Sequence, residues 1–555
     1  MAQELRTART PSQTGQWGGG EKVLSLRQRI SISLSRPVDI AGLVYFRIAF
    51  YSLMCWEAWR FLAGNWVGLN FVGKEFYFTY WPLTFVHPWP GNGLYIHLYV
   101  MAAVAFGLAL GLCYRVLAAL FFLLFTYLFL LEKALYLNHF YLGCLLSFLM
   151  IFVPAHRAYS LDAWRNPSWR TSTIPAWPIW LLRFQIGVPY FFGGIAKLNL
   201  DWLRGEPLRQ WLSTERDFPL LGPFFAHEGV VWLMVYGSLV FDLSVVFFLL
   251  NRRTRVFAYI AALLFHFLNS RLFVIGVFPW MMIAATAIFF EPDWPRRVLN
   301  DFQENHPYRV WALIASFVLG FLLGWLLGHF SWVPATVAGL GVAIAAYHLD
   351  EPFGRVQEGN AGDDTKTAKA RAAVKRGVRQ GMTSRQILPV SQWTFLLLGL
   401  WATVQVLLPL RHFLIPGNVN WTEEGHNFSW HMMLREKEGE GTFIASDPAT
   451  GEQWNVNLWD YLTLAQRRQM LIRPHMIIQF AHYLAGRLRG AGHKEVEIRA
   501  RISVSLNGRA PQLLIDPSVD LTKVPYPWWG HAPWILPLDP ALDLSDRERK
   551  PAVGR

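Results

Sequence analysis

Residues 256–290, VFAYIAALLFHFLNSRLFVIGVFPWMMIAATAIFF, decide the fold. The run is too long and too apolar for one membrane crossing, which takes about 20 residues. It is interrupted near its middle by His266, Asn269, Ser270 and Arg271. We read it as two crossings, 256–269 and 272–290, with the polar cluster at or near the turn. A re-entrant hairpin is the alternative. Working outward, further apolar runs lie at 40–63, 94–113, 116–132, 137–154, 176–196, 231–250, 309–328, 332–349 and 392–410. With the central run counted as two, the total is eleven.

The distribution of basic residues tests that count. An N-terminal tail with Arg6, Arg9, Lys22, Arg27 and Arg29 is placed inside. The loops after even-numbered crossings then carry Arg115, Arg157, Arg165, Arg170, Arg252, Arg253, Arg255, Arg296 and Arg297, and the linker at 351–385 is strongly basic. Outside, 64–93 has only Lys74, while 197–230 breaks the pattern with mixed charge. The expected organisation is a disordered tail and interfacial helix over 1–36 and a transmembrane domain over 37–350. A basic cytoplasmic linker over 351–385, a last crossing over 386–410 and an extracytoplasmic α+β domain over 411–555 complete it. The fold class is thus a polytopic α-helical membrane protein with about nine to eleven helices. Only 16% of residues are charged, against 53% hydrophobic. The formal net charge of +13 is read as an orientation signal, so nucleic acid is not an expected partner. Three cysteines exclude a disulfide scaffold and show no zinc spacing.

In the C-terminal region strand-like runs occur near 427–435, 441–445 and 453–458, an amphipathic helix near 459–489, and an alternating strand at 495–504 before the turn signal Asn507-Gly508. Phosphate loops, dinucleotide fingerprints and nucleophile elbows are missing from the sequence. What remains is polar groups at membrane depth or span ends, which are costly in hydrocarbon and therefore candidates for function. Lys197 ends the run Tyr190 to Ala196. It is either a lysine that snorkels from a helix end or a base whose amine is neutralised by apolar surroundings. Gly193 and Gly194 beside it allow a flat ligand to approach, and Asp201 either assists or holds the charge. Asn138-His139 and the His266, Asn269, Ser270 face sit at a similar outward depth. Each has a structural alternative, an interfacial histidine and helix–helix polar contact respectively. His426 and His431 alone fall at helix-like spacing, in a segment read as loop and strand, so no metal is expected.

Taken in order, these segments resemble the vitamin K-dependent γ-glutamyl carboxylase family in its bacterial form, with a horizontally transferred transmembrane domain. The resemblance rests on Lys197-Leu198-x-x-Asp201-Trp202, on Asn138-His139-x-Tyr141-Leu142, and on Phe265-His266-x-x-Asn269-Ser270 continuing to Phe278-Pro279-Trp280. Further along it rests on His412-Phe413-Leu414, Asn420-Trp421-Thr422, Phe428-Ser429-Trp430 and Ile515-Asp516-Pro517. The family implies a reaction in which a lysine takes a proton from vitamin K hydroquinone, a reduced menaquinone or phylloquinone. Oxygen then yields a strong base, and a glutamate γ-carbon, once deprotonated, attacks carbon dioxide. Carried over, Lys197 and His139 are catalytic, and Asn138, His266, Asn269 and Ser270 line the quinone site. Trp421, His412 and His426 lie near the peptide. The implied partners are a glutamate-containing peptide, the lipid bilayer and a vitamin K quinone-reducing enzyme, and the implied location is a bacterial plasma membrane. This chain departs from the family in an inserted helical pair near 309–349 and in Gly425-His426 where the family has Leu-Tyr. It also lacks cysteines for a body-to-domain bridge and a long tail after Trp534, so no secretion propeptide recognition is expected. A quinol oxygenase with another acceptor and a non-enzymatic lipid- or quinone-binding protein are the competing readings.

Overall fold

The computed structural model describes residues 25–218, 221–273, 275–303, 307–327, 331–357, 390–526 and 530–539. The tail at 1–22 and most of the basic linker at 351–385 lie outside the described residues. Helix α1, Leu26–Ser35, begins with a capping box between Ser25 and Gln28. The apolar body follows as α2 Ala41–Ala63, α3 Gly93–Leu110, α4 Tyr114–Leu130, α5 Asn138–Phe152, α6 Trp177–Ala196 and α7 Glu228–Leu250. It continues as α8 Arg255–Leu272, α9 Phe278–Thr286, α10 Pro307–Leu327, α11 Trp332–Gln357 and α12 Gln392–Leu410. Every run read as a crossing is helical. Six of these helices, α3, α6, α7, α10, α11 and α12, are long and apolar enough to cross a membrane, and α4, α5 and the run from α9 to Phe289 are shorter apolar helices. The protein is a polytopic membrane protein.

The deciding run does divide in two. Its first helix persists to Leu272, so the polar cluster forms the last turn of α8. Gly276, at φ +57°, helps reverse the chain. Pro279 then sits in the first turn of α9, where a missing N–H costs nothing. Several buried charges of the body are structural. Arg47 donates to the carbonyl of Ala155, and Arg183 to those of Ile288 and Phe290, groups that a helix end leaves without partners. The inserted pair α10–α11 packs closely through small residues: a Cβ on Gly324 would meet Ala338 Cβ at 2.4 Å.

The C-terminal region holds a four-stranded antiparallel sheet. Its strands are β3 Lys437–Asp447, β4 Glu452–Val456, β5 Glu497–Leu506 and β6 Gln512–Leu513, in the order β4-β3-β5-β6; β1 Pro37–Asp39 and β2 Thr173–Pro175 form a separate ribbon. Strand β5 alternates, burying Ile498, Ala500, Ile502, Val504 and Leu506. Helices α13 Leu464–Leu471 and α14 Pro474–Gly490 cover this face, with the Phe480 ring 5.2 Å from that of Phe443. Two expectations are corrected. The helix read at 459–489 is broken before Pro474, which lacks an N–H and can only begin a helix. The strand read at 427–435 is a succession of turns, because Phe428, Trp430 and Met433 all have positive φ.

The sheet region is fixed to the body by long-range polar contacts. Gln466 donates to Phe76 O and to Glu132, each at 2.8 Å. Asn138 donates to His431 O at 2.9 Å, and the Phe428 N–H to Tyr136 Oη at 2.7 Å. Arg509 and Asn507, at the hairpin turn after β5, both bind Asp201.

Candidate active site

Lys197 caps α6 and is 6% exposed. Its ammonium lies 2.7 Å from Asp242 Oδ2, a carboxylate from the middle of α7 that is 5% exposed. The rings of Trp202 and Phe265 are 5.0 and 5.7 Å from Nζ. Gly194 lets α6 and α7 approach this closely, since a Cβ there would lie 2.8 Å from the Leu243 side chain. Gly193 lines the chamber beside this pair, and a Cβ placed there would lie 3.3 Å from Met432 Cε and 3.6 Å from Asp242 Oδ2. The counter-ion is thus Asp242. Asp201, weighed for that role from the sequence, is turned to Arg509; burial pushes its carboxyl up, but Arg509 and Asn507 more than offset this and hold it below the usual range.

Lys197 and Asp242 open into a chamber of about 1060 Å³, also lined by Asn138, His139, His266 and Asn269. Phe278 separates the two histidines, its ring 5.9 Å from His139 and 6.0 Å from His266. His266 Nε2 shares a 2.7 Å hydrogen bond with Tyr190 Oη, and its Nδ1 has no partner among the described residues. The amide of Asn138 is engaged on both sides, by Tyr136 Oη and His431 O. Ser270 does not line the chamber; its hydroxyl donates to Phe267 O in its own helix. Leu233 and Leu264 line the chamber and are also 70% and 64% exposed on the apolar body. The chamber therefore opens sideways between α7 and α8, where Gly237 leaves clear space.

The opposite end is cationic. His426, His431, Arg435, Lys437 and Arg473, all from the C-terminal region, line it together with one acid, Glu436. Glu423 holds Arg435 and Lys437 by ion pairs. Burial pushes the Lys437 ammonium down to about 7, against the opposing pull of Glu423. Burial, reinforced by neighbouring cations, keeps His426 and His431 well below the usual histidine value, and so neutral. Neither ring nitrogen of His431 is hydrogen-bonded among the described residues. Arg473 is 8% exposed, and its Nε and Nη1 have no partner among the described residues. His412 and Trp421 lie outside the chamber, in an adjoining cleft of about 780 Å³ that also reaches His431. Trp421 is fully buried, and its indole donates to Leu536 O.

Sequence reasoning missed Asp242, Arg435, Lys437 and Arg473. Asp242 had a signal: it is the single charge within Val230–Leu250. The three cations had none, because basic residues in a domain read as extracytoplasmic pass for solvated surface. No group of three or more His, Cys, Asp or Glu side chains among the described residues forms a metal site.

A polytopic helical body roofed by a small α+β region, with a buried lysine in the chamber between them, defines a membrane protein whose candidate active site lies at that joint. Family comparison is specific. Residues 35–294 match the HTTM domain, and residues 390–541 match the vitamin K-dependent gamma-carboxylase lumenal domain. The chain belongs to the vitamin K-dependent γ-glutamyl carboxylase family. It is an integral membrane protein with an extracytoplasmic domain, and its family implies a vitamin K cofactor. No solved structure matches it.

Proposed function

We propose that the chain carboxylates glutamate side chains of a peptide, using a reduced vitamin K quinone, O2 and CO2 and releasing the quinone as its epoxide. The observation that carries this reading is the Lys197–Asp242 pair, set between a lateral mouth in the apolar body and a cationic end under the outer domain. The chamber suits a quinone with an isoprenoid tail: it has the volume, apolar walls, and an opening through which a tail extends into lipid. Bound reduced vitamin K, on reaction with O2, supplies a base strong enough to take a γ-proton.

The rest is the work of this chain. One proton is shared between Lys197 and Asp242; with it on Asp242, Nζ is a free amine that accepts a proton from a hydroxyl in the chamber. His139 and His266 orient the ring, with Asn138 and Asn269 beside them. Arg473 has no carboxylate paired with it among the described residues and receives that of the substrate, with Lys437 and neutral His431 beside it. Loss of the γ-proton leaves an electron pair that attacks CO2, and the walls exclude the water that would quench it. His412 and Trp421 line the adjoining cleft, which leads the peptide towards His431. No metal takes part. The orientation that accompanies this reading is a bacterial plasma membrane with the N-terminus cytoplasmic. The body then spans 37–350 and 386–410, and the outer domain begins at 411. A quinone-reducing enzyme replenishes the quinol.

A quinol oxygenase acting on another acceptor is favoured by Gly425-His426, a departure from the family beside the chamber's polar end. One experiment separates the two: purified protein with reduced vitamin K, labelled bicarbonate and a glutamate-rich peptide. Label should enter the peptide and fall about 10²–10⁴-fold in Lys197→Ala, the range for loss of a general base. Epoxide without peptide label supports the oxygenase instead.

A further inference from the structure

We propose that a second cavity, set between the outer loops of the body and the C-terminal domain, binds a small oxyanion of the bicarbonate type. It measures about 260 Å³ and is lined by Tyr80, Lys133, Arg411, Glu424, His475 and Tyr526, among others. That is below the range of pockets for drug-sized ligands and admits no peptide, but holds a small ion with a few waters.

Its donors are in excess. Lys133 and Arg411 face it, and neither has a carboxylate within ion-pair distance among the described residues. Arg411 is satisfied by neutral acceptors, the carbonyl of Leu408 at 2.7 Å, Ser429 Oγ at 3.0 Å and the carbonyl of Asn427. The two acids of the wall are already committed. Glu423 holds Arg435 and Lys437, while Glu424 accepts from His531 at 2.9 Å and from the Ala532 N–H at 2.7 Å. Three further polar atoms, Tyr80 Oη, Tyr526 Oη and His475 Nε2, are buried without a partner among the described residues, and Tyr80 itself is only 7% exposed. Buried polar groups without partners are rare and costly. Burial, with Arg473 nearby, lowers the Lys133 ammonium to about 7, so an anion beside it would relieve a real strain on its charge. One kind of ligand suits this lining: a compact anion with several acceptor oxygens and one negative charge.

Position gives the site a consequence. Glu423 lines this cavity, and the two cations it holds line the chamber. The ion would sit one ion pair away from the site where carbon dioxide is consumed. The choice of bicarbonate among small oxyanions rests on the proposed carboxylation; the donor excess does not.

The test is isotope-edited infrared difference spectroscopy of the full chain in detergent at pH 7, with 12C- against 13C-bicarbonate and neither quinol nor peptide present. A saturable bound-carbonate band is expected. Lys133→Met should weaken binding at least tenfold and Tyr526→Phe at least threefold, while Lys197→Ala should leave it unchanged. Equal binding in Lys133→Met would overturn the proposal, as would an equal loss in Lys197→Ala, which would put the ion in the chamber. Displacement by equimolar chloride or nitrate would refute the bicarbonate assignment. If Lys133→Met does not fold, as judged by thermal unfolding, Tyr526→Phe decides. Because no turnover is read, failure here is distinct from failure of the carboxylase assay.

Discussion

Lys197 was legible only as a candidate, since a lysine closing an apolar helix is explained as readily by snorkelling as by a role as base; its burial against Asp242 is what the structure adds. The pairing was not legible, since Asp242 lies 45 residues away and only folding brings the two side chains together. A buried pair of this kind is expensive to break from one side only, on the order of 3–5 kcal/mol. Asp242→Asn should therefore lower the unfolding temperature and reduce turnover at least tenfold. The double variant Lys197→Met/Asp242→Leu should recover the stability but not the activity. A thermal-shift series alongside the carboxylation assay checks both. Arg473 makes a different prediction. If its guanidinium receives the substrate carboxylate, Arg473→Ala should raise KM for the peptide by tenfold or more and leave quinol binding unaltered, whereas Arg473→Lys should recover part of the loss. Equal changes in both Michaelis constants would refute that role.

At the scale of elements, apolar run length located the long helices of the body, though not short ones such as Trp294–Gln303, because an uninterrupted apolar run in lipid must satisfy its own backbone. The same logic fails at 427–435. There the aromatic residues suggest a strand, yet the chain winds through left-handed turns to put Phe428 and Trp430 against Tyr141, with ring centroids 4.9 and 5.1 Å away. Tertiary packing overrides local preference in such segments. The joint between the body and the outer domain is also illegible from sequence, since Glu132 meets Gln466 across 334 positions. Burial raises the Glu132 carboxyl to about 7, although three donors oppose the shift. The folded state thus holds this proton more tightly than the unfolded chain does. Its contribution is fully present below about 4.5 and declines as pH rises through about 7, a change on the order of 1–3 kcal/mol. Thermal unfolding of wild type should lose stability over that interval relative to Glu132→Gln. Parallel pH profiles for the two proteins would refute the assignment.

At the scale of the whole molecule, the proposed orientation has a direct check. Cys113 is exposed at the turn between α3 and α4, on the face expected to be cytoplasmic. It should react with a membrane-impermeant maleimide only after permeabilisation, while a Thr450→Cys variant, in the exposed turn after β3, should react in intact cells. The reverse pattern would invert the topology. The chamber, by contrast, could be read only in fragments, since its floor comes from helices and its cationic end from a segment some 200 residues later in the chain. The sideways mouth between Leu233 and Leu264 carries one last implication. A reagent that arrives through it is dissolved in two dimensions, whereas the peptide arrives from three. Its effective concentration is then a mole fraction in the surrounding lipid or detergent. Adding empty micelles at constant total quinol should slow the reaction by surface dilution and leave the peptide's half-saturation point where it was.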